Sequence, residues 1–363
     1  MSALDGVVIA DFGRVLAAPY ATMMLADLGA EVVKIEHPRG DETRSWGPPH
    51  ARGEATYFLS VNRNKTSTTL DMATAEGLRA ARGIVLGADV LVENFRPGTM
   101  SRFGLGYDDL RTVHSGLVYC SVTGFGAGRG RDLPGYDLLV QAVGGLMSVT
   151  GARPGEPVKA GVALVDVLTG LHAAVGVLAA LRHRDATGEG QHVEVDLLSV
   201  LLSSMVNQSA GYALAGVVPG IMGNRHPSIA PYQLVETADR PMVLAVGNDR
   251  QFGRLCTALD VPALAADPRF ATNGQRVAHV DELLALLGPR LRTGSARHWF
   301  EVLTPLGVPC GPVNDLAGAF ELAGDLGLEP TTTVDGLDLV SNPIRLSRTP
   351  VTYRLPPPRL DQE

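Results

Sequence analysis

Short apolar runs alternate with helix-like ones through the first third of the chain, and this limits the possible folds more than any other feature. Val7–Ala10 reads as a strand ending at Asp11. Pro19 fits the first turn of a helix carrying Met23, Met24, Leu25 and Leu28, which Gly29 ends. EVVKIE (Glu31–Glu36) is the next strand, TSTTLDM another, Thr74–Leu86 a helix, and ADVLVENF (Ala88–Phe95) and GLVYCSVTG (Gly116–Gly124) two more strands. Strands separated by helices at this spacing predict an α/β fold with a mostly parallel sheet and crossover helices.

The stretch GVALVDVLTGLHAAVGVLAAL (Gly161–Leu181) holds one acid, Asp166, in an almost wholly apolar run. A helix is expected from there to about His183, apolar on every side and therefore buried. A carboxylate in such surroundings must be hydrogen-bonded, paired or put to use. QHVEVDLL then alternates Val193, Val195 and Leu197 against His192, Glu194 and Asp196, as a half-exposed strand does. Leu197–Leu214 is again helical. Near Gly216 the texture shifts to GVVPGIMGNRHPSIAPY, a linker or functional loop. Beyond it, a strand at Pro241–Asn248 and helices at Asp249–Leu259, Asp281–Leu291 and Ala296–Leu303 suggest a smaller α+β domain.

Composition excludes several function classes. The net charge is −7, so no global basic field draws in nucleic acid or a membrane surface. Three cysteines, Cys120, Cys256 and Cys310, lie far apart, which disfavours a disulfide framework or a CxxC site. The start, MSALDGVVIADFG, has no basic n-region, and no apolar run reaches the roughly 18 residues of a membrane span. A cytoplasmic protein without membrane contact is expected. DFGRVLAAP stands where a dinucleotide-binding GxGxxG would follow the first strand, and no P-loop, GxSxG or HExxH occurs. The nine histidines are scattered, so no metal site is expected.

Asp166 before VLTGLHAAV and Asp137 in PGYDLLVQAVGGL both suit a helix N-cap. A helix start also favours an ionised carboxylate, which a carboxylate nucleophile requires. Spacing alone leaves both readings open.

A set of segments in order along nearly the whole chain carries a family resemblance. These are Arg14–Asp41, NRNKTSTTLDM, Ala88–Leu110, Pro134–Gly151, GVALVDVLTG, His183–Leu198, GNRHPSIAPYQ, AVGNDRQFGRLC and GVPCGPVND. The chain resembles the class III (CaiB/BaiF type) coenzyme A transferases, which include formyl-CoA and carnitine CoA-transferases and the α-methylacyl-CoA racemases. The resemblance implies a Rossmann-like large domain from residues 1–215 and 330–363, a linker and small domain over 216–329, and an interlocked homodimer. It implies that Asp166 is the nucleophile, forming first an acyl anhydride and then an aspartyl-CoA thioester, with no metal or redox cofactor; coenzyme A is a substrate. Asp137 matches the acid that helps hold the nucleophile. Tyr136 falls where the racemases carry histidine, and tyrosine, with a pKa near 10, is a poor proton shuttle at neutral pH. Transfer is therefore expected over racemization. Racemase activity and a catalytically silent acyl-CoA binder are the alternatives.

Coenzyme A carries phosphates, so local cations are needed: Arg39, Arg44, Arg63, Lys65, Arg96 and Arg102 are candidates. The resemblance singles out Arg39 and Arg102, with Val15, Leu16, Asn94 and Phe95 on the coenzyme A side. Leu16 takes the place of a formyl-CoA transferase glutamine, which points to a carboxylic acid other than formate. Gly223, Asn224, Arg225 and His226 match a loop over the active site, where Arg225 or His226 could read the acceptor carboxylate. The expected partners are thus an acyl-CoA, such as succinyl-CoA, and a carboxylic acid.

Overall fold

The structure is a computed structural model that describes residues 2–360. Residues 1 and 361–363, which the expected large domain includes, lie outside the described residues. The chain divides into two units: Met1–Met147 with Lys159–Pro219 and Glu329–Glu363, and Ser148–Val158 with Gly220–Leu328. Residues 148–158, expected in the large domain, belong with the second unit. Their sequence, VTGARPGEPV after Ser148, has no apolar periodicity to tie them to either core.

The large unit is built on six strands: β1 (Val8–Phe12), β2 (Glu31–Glu36), β3 (Lys65–Thr69), β4 (Val90–Glu93), β5 (Val118–Thr123) and β6 (His192–Asp196). All pair in parallel, in the order β3-β2-β1-β4-β5-β6. Alternate residues of each inner strand supply opposite faces, so both faces are apolar, as a sheet covered on both sides requires. Ile9, Val90, Val92, Val118, Cys120 and Val122 enter one core, and Ala10, Phe12, Leu91, Leu117 and Tyr119 enter the other. The first core is closed by α1 (Ala17–Asp27) and α4 (Leu164–Thr187). The second is closed by α2 (Ala75–Leu86), whose N-cap Thr74 accepts from the Gly77 N–H at 3.0 Å. Between them in sequence lies α3 (Asp137–Val143).

This strand order reverses direction between β1 and β4. The loops leaving their carboxyl ends must therefore part, and the gap between them is the expected ligand crevice of such a sheet.

One helical expectation needs correction. Residues 197–214 are helical as expected, in two pieces, α5 (Leu197–Ser204) and α6 (Val206–Ala215), because Val206 takes φ +34 and breaks the ladder. The helix α4 is not buried all round. Ala173, Val177 and Ala180 face the core, but Leu171 and Val175 point outward, Val175 being 65% exposed. Among the described residues, nothing covers these two side chains completely. The same helix, by length and apolarity, could also cross a membrane, contrary to the expectation that no run is long enough; its hydropathy averages 1.9 over 18 residues. Here 44% of that window is buried inside the protein.

The second unit is an antiparallel sheet of β7 (Tyr232–Val235), β8 (Met242–Ala245) and β9 (Cys310–Pro312), with β8 central. Its core packs Met242 and Leu244 against Phe252, Leu287, Trp299 and Leu303. The wholly buried Arg276 donates to Ala230 O, Phe270 O and Asp249 Oδ1 at 2.8–2.9 Å, so its charge is fully satisfied.

Candidate active site

The loop after β1 replaces a glycine-rich phosphate turn with one latched by buried charge. Asp11 Oδ1 accepts from the Gly13 N–H at 2.8 Å, and Lys34 Nζ donates to Gly13 O at 2.7 Å. Lys34 also bonds Asp41 Oδ2 at 3.0 Å, and both Asp41 oxygens face the Val15 N–H at 3.3–3.4 Å. Burial opposes ionisation of Asp11 and Asp41. Lys65 and Lys34 at Asp11, and Lys34 with Thr43 at Asp41, win and hold both below the usual carboxylate range. Val15 is thereby held at φ +65, costly for a β-branched residue. A Cβ on Gly13 would meet Ala18 Cβ and Asp11 Oδ1 at 2.7 Å, so no side chain fits there.

Across the strand gap, Asn94 after β4 closes on this loop. Its side chain accepts from the Arg14 N–H at 2.8 Å and donates to Arg14 O at 2.7 Å. The Arg14 guanidinium then lies 4.7 Å over the Phe95 ring. Two cavities open here. One of about 180 Å³ is lined by Val15, Leu16, Asn94, Phe95, Tyr136 and Asp166. The other, about 890 Å³, is lined by Arg39, Asp41, Leu70, Met72 and Phe103. They share Arg14, Glu42 and Phe95.

Asp166 sits in the first turn of α4, not at its cap; the cap position is Ala163, whose side chain caps nothing. Nor does Asp137 cap its own helix: it is the first residue of α3, after Tyr136. Instead Asp137 caps α4 from outside. Its Oδ1 accepts from the Val165 N–H at 2.8 Å and the Asp166 N–H at 3.2 Å. Gln141 fixes its other oxygen at 2.5 Å and accepts from the Ala160 N–H at 2.8 Å. The two acids, read from the sequence as separate caps, form one device.

Among the described residues, no hydrogen bond or ion pair engages the Asp166 carboxylate. Burial, and then the negative charge of Asp137, push it from 3.8 up to about 7. Tyr57, which sequence reasoning missed, belongs with Ala163 and Val167 in a small apolar cluster. Burial and then Asp166 and Asp137 push its phenol up to about 12, so it stays protonated. Nothing in the local sequence marks Tyr57; only folding sets it near the two acids.

The other sequence candidates separate clearly. Arg39 is exposed at the larger cavity, and Arg96 is exposed at the Asp166 cavity. Arg63 and Lys65 are held away from phosphate by buried pairs, and Arg44, which lines the larger cavity, is paired too, though among the described residues its Nη1 takes no hydrogen bond. Arg44 forks onto Glu36 at 2.8–2.9 Å, Arg63 onto Asp27 at 2.6–3.2 Å, and Lys65 bonds Asp11 at 3.0 Å. Arg102 lines neither cavity; it reaches Thr99 on its own helical turn at 3.5 Å. The loop Gly223–His226 lies in the second unit and bonds there. Arg225 pairs with Asp281 at 2.5 Å, and the His226 N–H donates to Tyr232 O at 3.0 Å.

A sequence profile described as CoA-transferase family III matches residues 4–363. Among curated proteins, the succinate–glutarate CoA-transferase of Agrobacterium fabrum is 42% identical over 99% of this chain and 93% of its own length. The human succinyl-CoA:glutarate CoA-transferase is 39% identical, covering 99% of this chain and 84% of its own. Acetyl-CoA:oxalate CoA-transferase of Acetobacter aceti is 38% identical over 99% and 93%. A solved structure of a CAIB/BAIF family protein from Brucella suis superimposes with a TM-score of 0.89 at 40% identity, covering 99% of this chain and 96% of that one.

Proposed function

Because the chain belongs to CoA-transferase family III, we propose that it carries coenzyme A from succinyl-CoA to a small dicarboxylic acid, with Asp166 as the nucleophile. One observation carries the assignment. Among the described residues, the Asp166 carboxylate at the strand gap has no hydrogen-bond or ion-pair partner, and its backbone is pinned by Asp137 at a helix start. Asp11, Asp27 and Asp41, also near the carboxyl end of the sheet or on α1, are all paired.

Each step balances without a further reactant. An Asp166 oxygen attacks the thioester carbonyl, the C–S bond breaks, and coenzyme A leaves as thiolate, giving a mixed anhydride. The thiolate attacks the aspartyl carbonyl and expels the donor carboxylate, leaving an aspartyl-CoA thioester. The acceptor carboxylate repeats the first step on that thioester, and the thiolate then takes the new acyl group and frees Asp166. Leu16, Phe95 and Leu197 supply the apolar part of the Asp166 cavity, beside Arg14, Glu42 and Arg96, and such apolar cover supports a step whose anhydride must be shielded from water. The larger cavity, with Met72, Phe103 and exposed Arg39, suits the nucleotide end, and the shared Phe95–Arg14 pair suits the join.

Arg225 or His226 is the proposed reader of the acceptor carboxylate, and for Arg225 the charge suits the task. The present pair of Arg225 with Asp281 is largely solvent-exposed and costs little to release, about 1 kcal/mol or less. An interlocked homodimer is part of the same reading, supported by outward apolar side chains on three helices: Val143, Val175 and Leu214. Cytoplasmic residence is supported by three unpaired cysteines.

The test is intact-mass analysis after adding succinyl-CoA without acceptor. A covalent adduct mapping to Asp166, removed by hydroxylamine and missing from Asp166→Asn, is expected. Transfer to dicarboxylates by a protein that never forms the adduct would defeat the assignment.

A further inference from the structure

A smaller pocket, about 140 Å³, borders the Asp166 cavity along Arg96, Pro97, Thr123 and Gly126. It gathers three polar side chains that the reaction does not use: Glu93, Ser121 and His192. Glu93, the last residue of β4, is only 7% exposed. Its Oε2 accepts from the Phe95 N–H at 2.8 Å, which closes the turn leaving the sheet. That turn carries Asn94, which bonds the Arg14 backbone both ways, and Phe95, under the Arg14 guanidinium. One carboxylate therefore fixes the backbone that presents both residues to the two cavities.

Parallel register places Ser121 of β5 directly beside Glu93, and its hydroxyl favours the ionised carboxylate. On the other side, Ser121 Oγ lies 3.0 Å from His192 Nε2. The His192 ring cannot swing away: it stacks on Tyr107 at 4.9 Å and meets the edge of Tyr119 at 5.3 Å. Such a hydroxyl can turn either way. It donates to an ionised Glu93, or it accepts from a protonated one and donates to His192.

We propose that Glu93 is a positioning residue for coenzyme A: its carboxylate, beside Ser121 on the neighbouring strand, holds the Asn94–Phe95 turn in the shape that grips the substrate. The proposal rests on the coenzyme A reading given above. A charged acceptor bonds an N–H about twice as strongly as a neutral one, so the turn tightens when Glu93 is ionised. Burial pushes Glu93 up to about 7 against the pull of Ser121, the Phe95 N–H and Arg14, so the change falls at neutral pH. Burial also lowers His192. The other charged or titratable groups facing the cluster are Arg96 and Asp196 at the pocket rim, Glu194 and Asp108 near His192, Asp109 near Tyr119, and the Cys120 thiol near Glu93.

Calorimetric titration with coenzyme A from pH 6 to 8.5 tests this on the intact protein, with melting temperature as the folding control. The native protein should bind about fivefold more weakly at the acid end, the difference between charged and neutral acceptors. Glu93→Gln keeps the shape but is neutral throughout, so it should stay weak and lose its share of the pH dependence. Its kcat at saturating acyl-CoA should match the native value while KM rises. The phosphate of coenzyme A titrates alike in both titrations and cancels. Ser121→Ala should move the native inflection to higher pH, because the ionised form loses its contact. A Gln variant with native affinity and native pH dependence would overturn the proposal alone. A native protein that does not bind coenzyme A would overturn the functional reading and this one with it.

Discussion

Replacing Asp166 with Asn should stabilise the protein at neutral pH while abolishing transfer. The folded state raises this carboxyl from 3.8 to about 7, so it holds its proton more tightly than the unfolded chain does. Well below the unfolded value of 3.8 the group is protonated in both states and costs nothing. As pH rises through the unfolded value, the unfolded chain ionises freely while the folded one resists. The penalty grows until about pH 7 and is constant above. At about 1.36 kcal/mol per unit, it is about 1–2 kcal/mol at pH 5 and about 4 kcal/mol at pH 8.5. Asparagine carries no charge and escapes this at every pH. Urea unfolding of both proteins across that range should therefore give curves that diverge with rising pH, the variant being the more stable. Parallel curves would mean that Asp166 is well solvated or paired, and the reasoning about a desolvated nucleophile would fail. The native enzyme should in turn gain kcat/KM as pH rises through 7, since only the carboxylate attacks.

Asp137→Asn removes the charge that helps raise Asp166, so the acid limb of that profile should move to lower pH. Asp137→Ala should also lose the cap on α4, about 1–2 kcal/mol in urea unfolding. Gly13→Ala forces a Cβ to within 2.7 Å of Ala18 and Asp11; weakened coenzyme A binding and a stability loss of about 1–3 kcal/mol are expected from titration and melting. Lys65→Met strands Asp11 in the core and should cost about 3–5 kcal/mol in denaturant unfolding, whereas Arg39→Gln, at an exposed side chain, should raise KM for acyl-CoA and leave stability unchanged.

Periodicity carries local information, and the elements it marks do form. The alternation of Val90, Leu91 and Val92 already describes a strand buried on both faces, and Thr74 announces the helix that follows it. It could not describe α4 correctly, because an apolar surface in the sequence does not say what covers it. Val175 is apolar and exposed, while Lys34, at 1% exposure, is charged and buried. Nor could it separate the basic candidates. Arg39 and Arg44 lie five residues apart in one loop region, yet only Arg44 meets Glu36.

What the sequence settled by itself is the order of strands and helices and the residue types available at their ends, since backbone geometry and side-chain polarity act over a few neighbours. What only the tertiary structure decided is which charges meet. Asp137 reaches the start of a helix 28 residues further on, and Lys65 reaches Asp11 over 54. Electrostatic pairing acts through space, and no spacing rule foretells it. Among the described residues, Asp166 stands out because its carboxylate is largely buried beside Asp137 and still takes no hydrogen bond or ion pair.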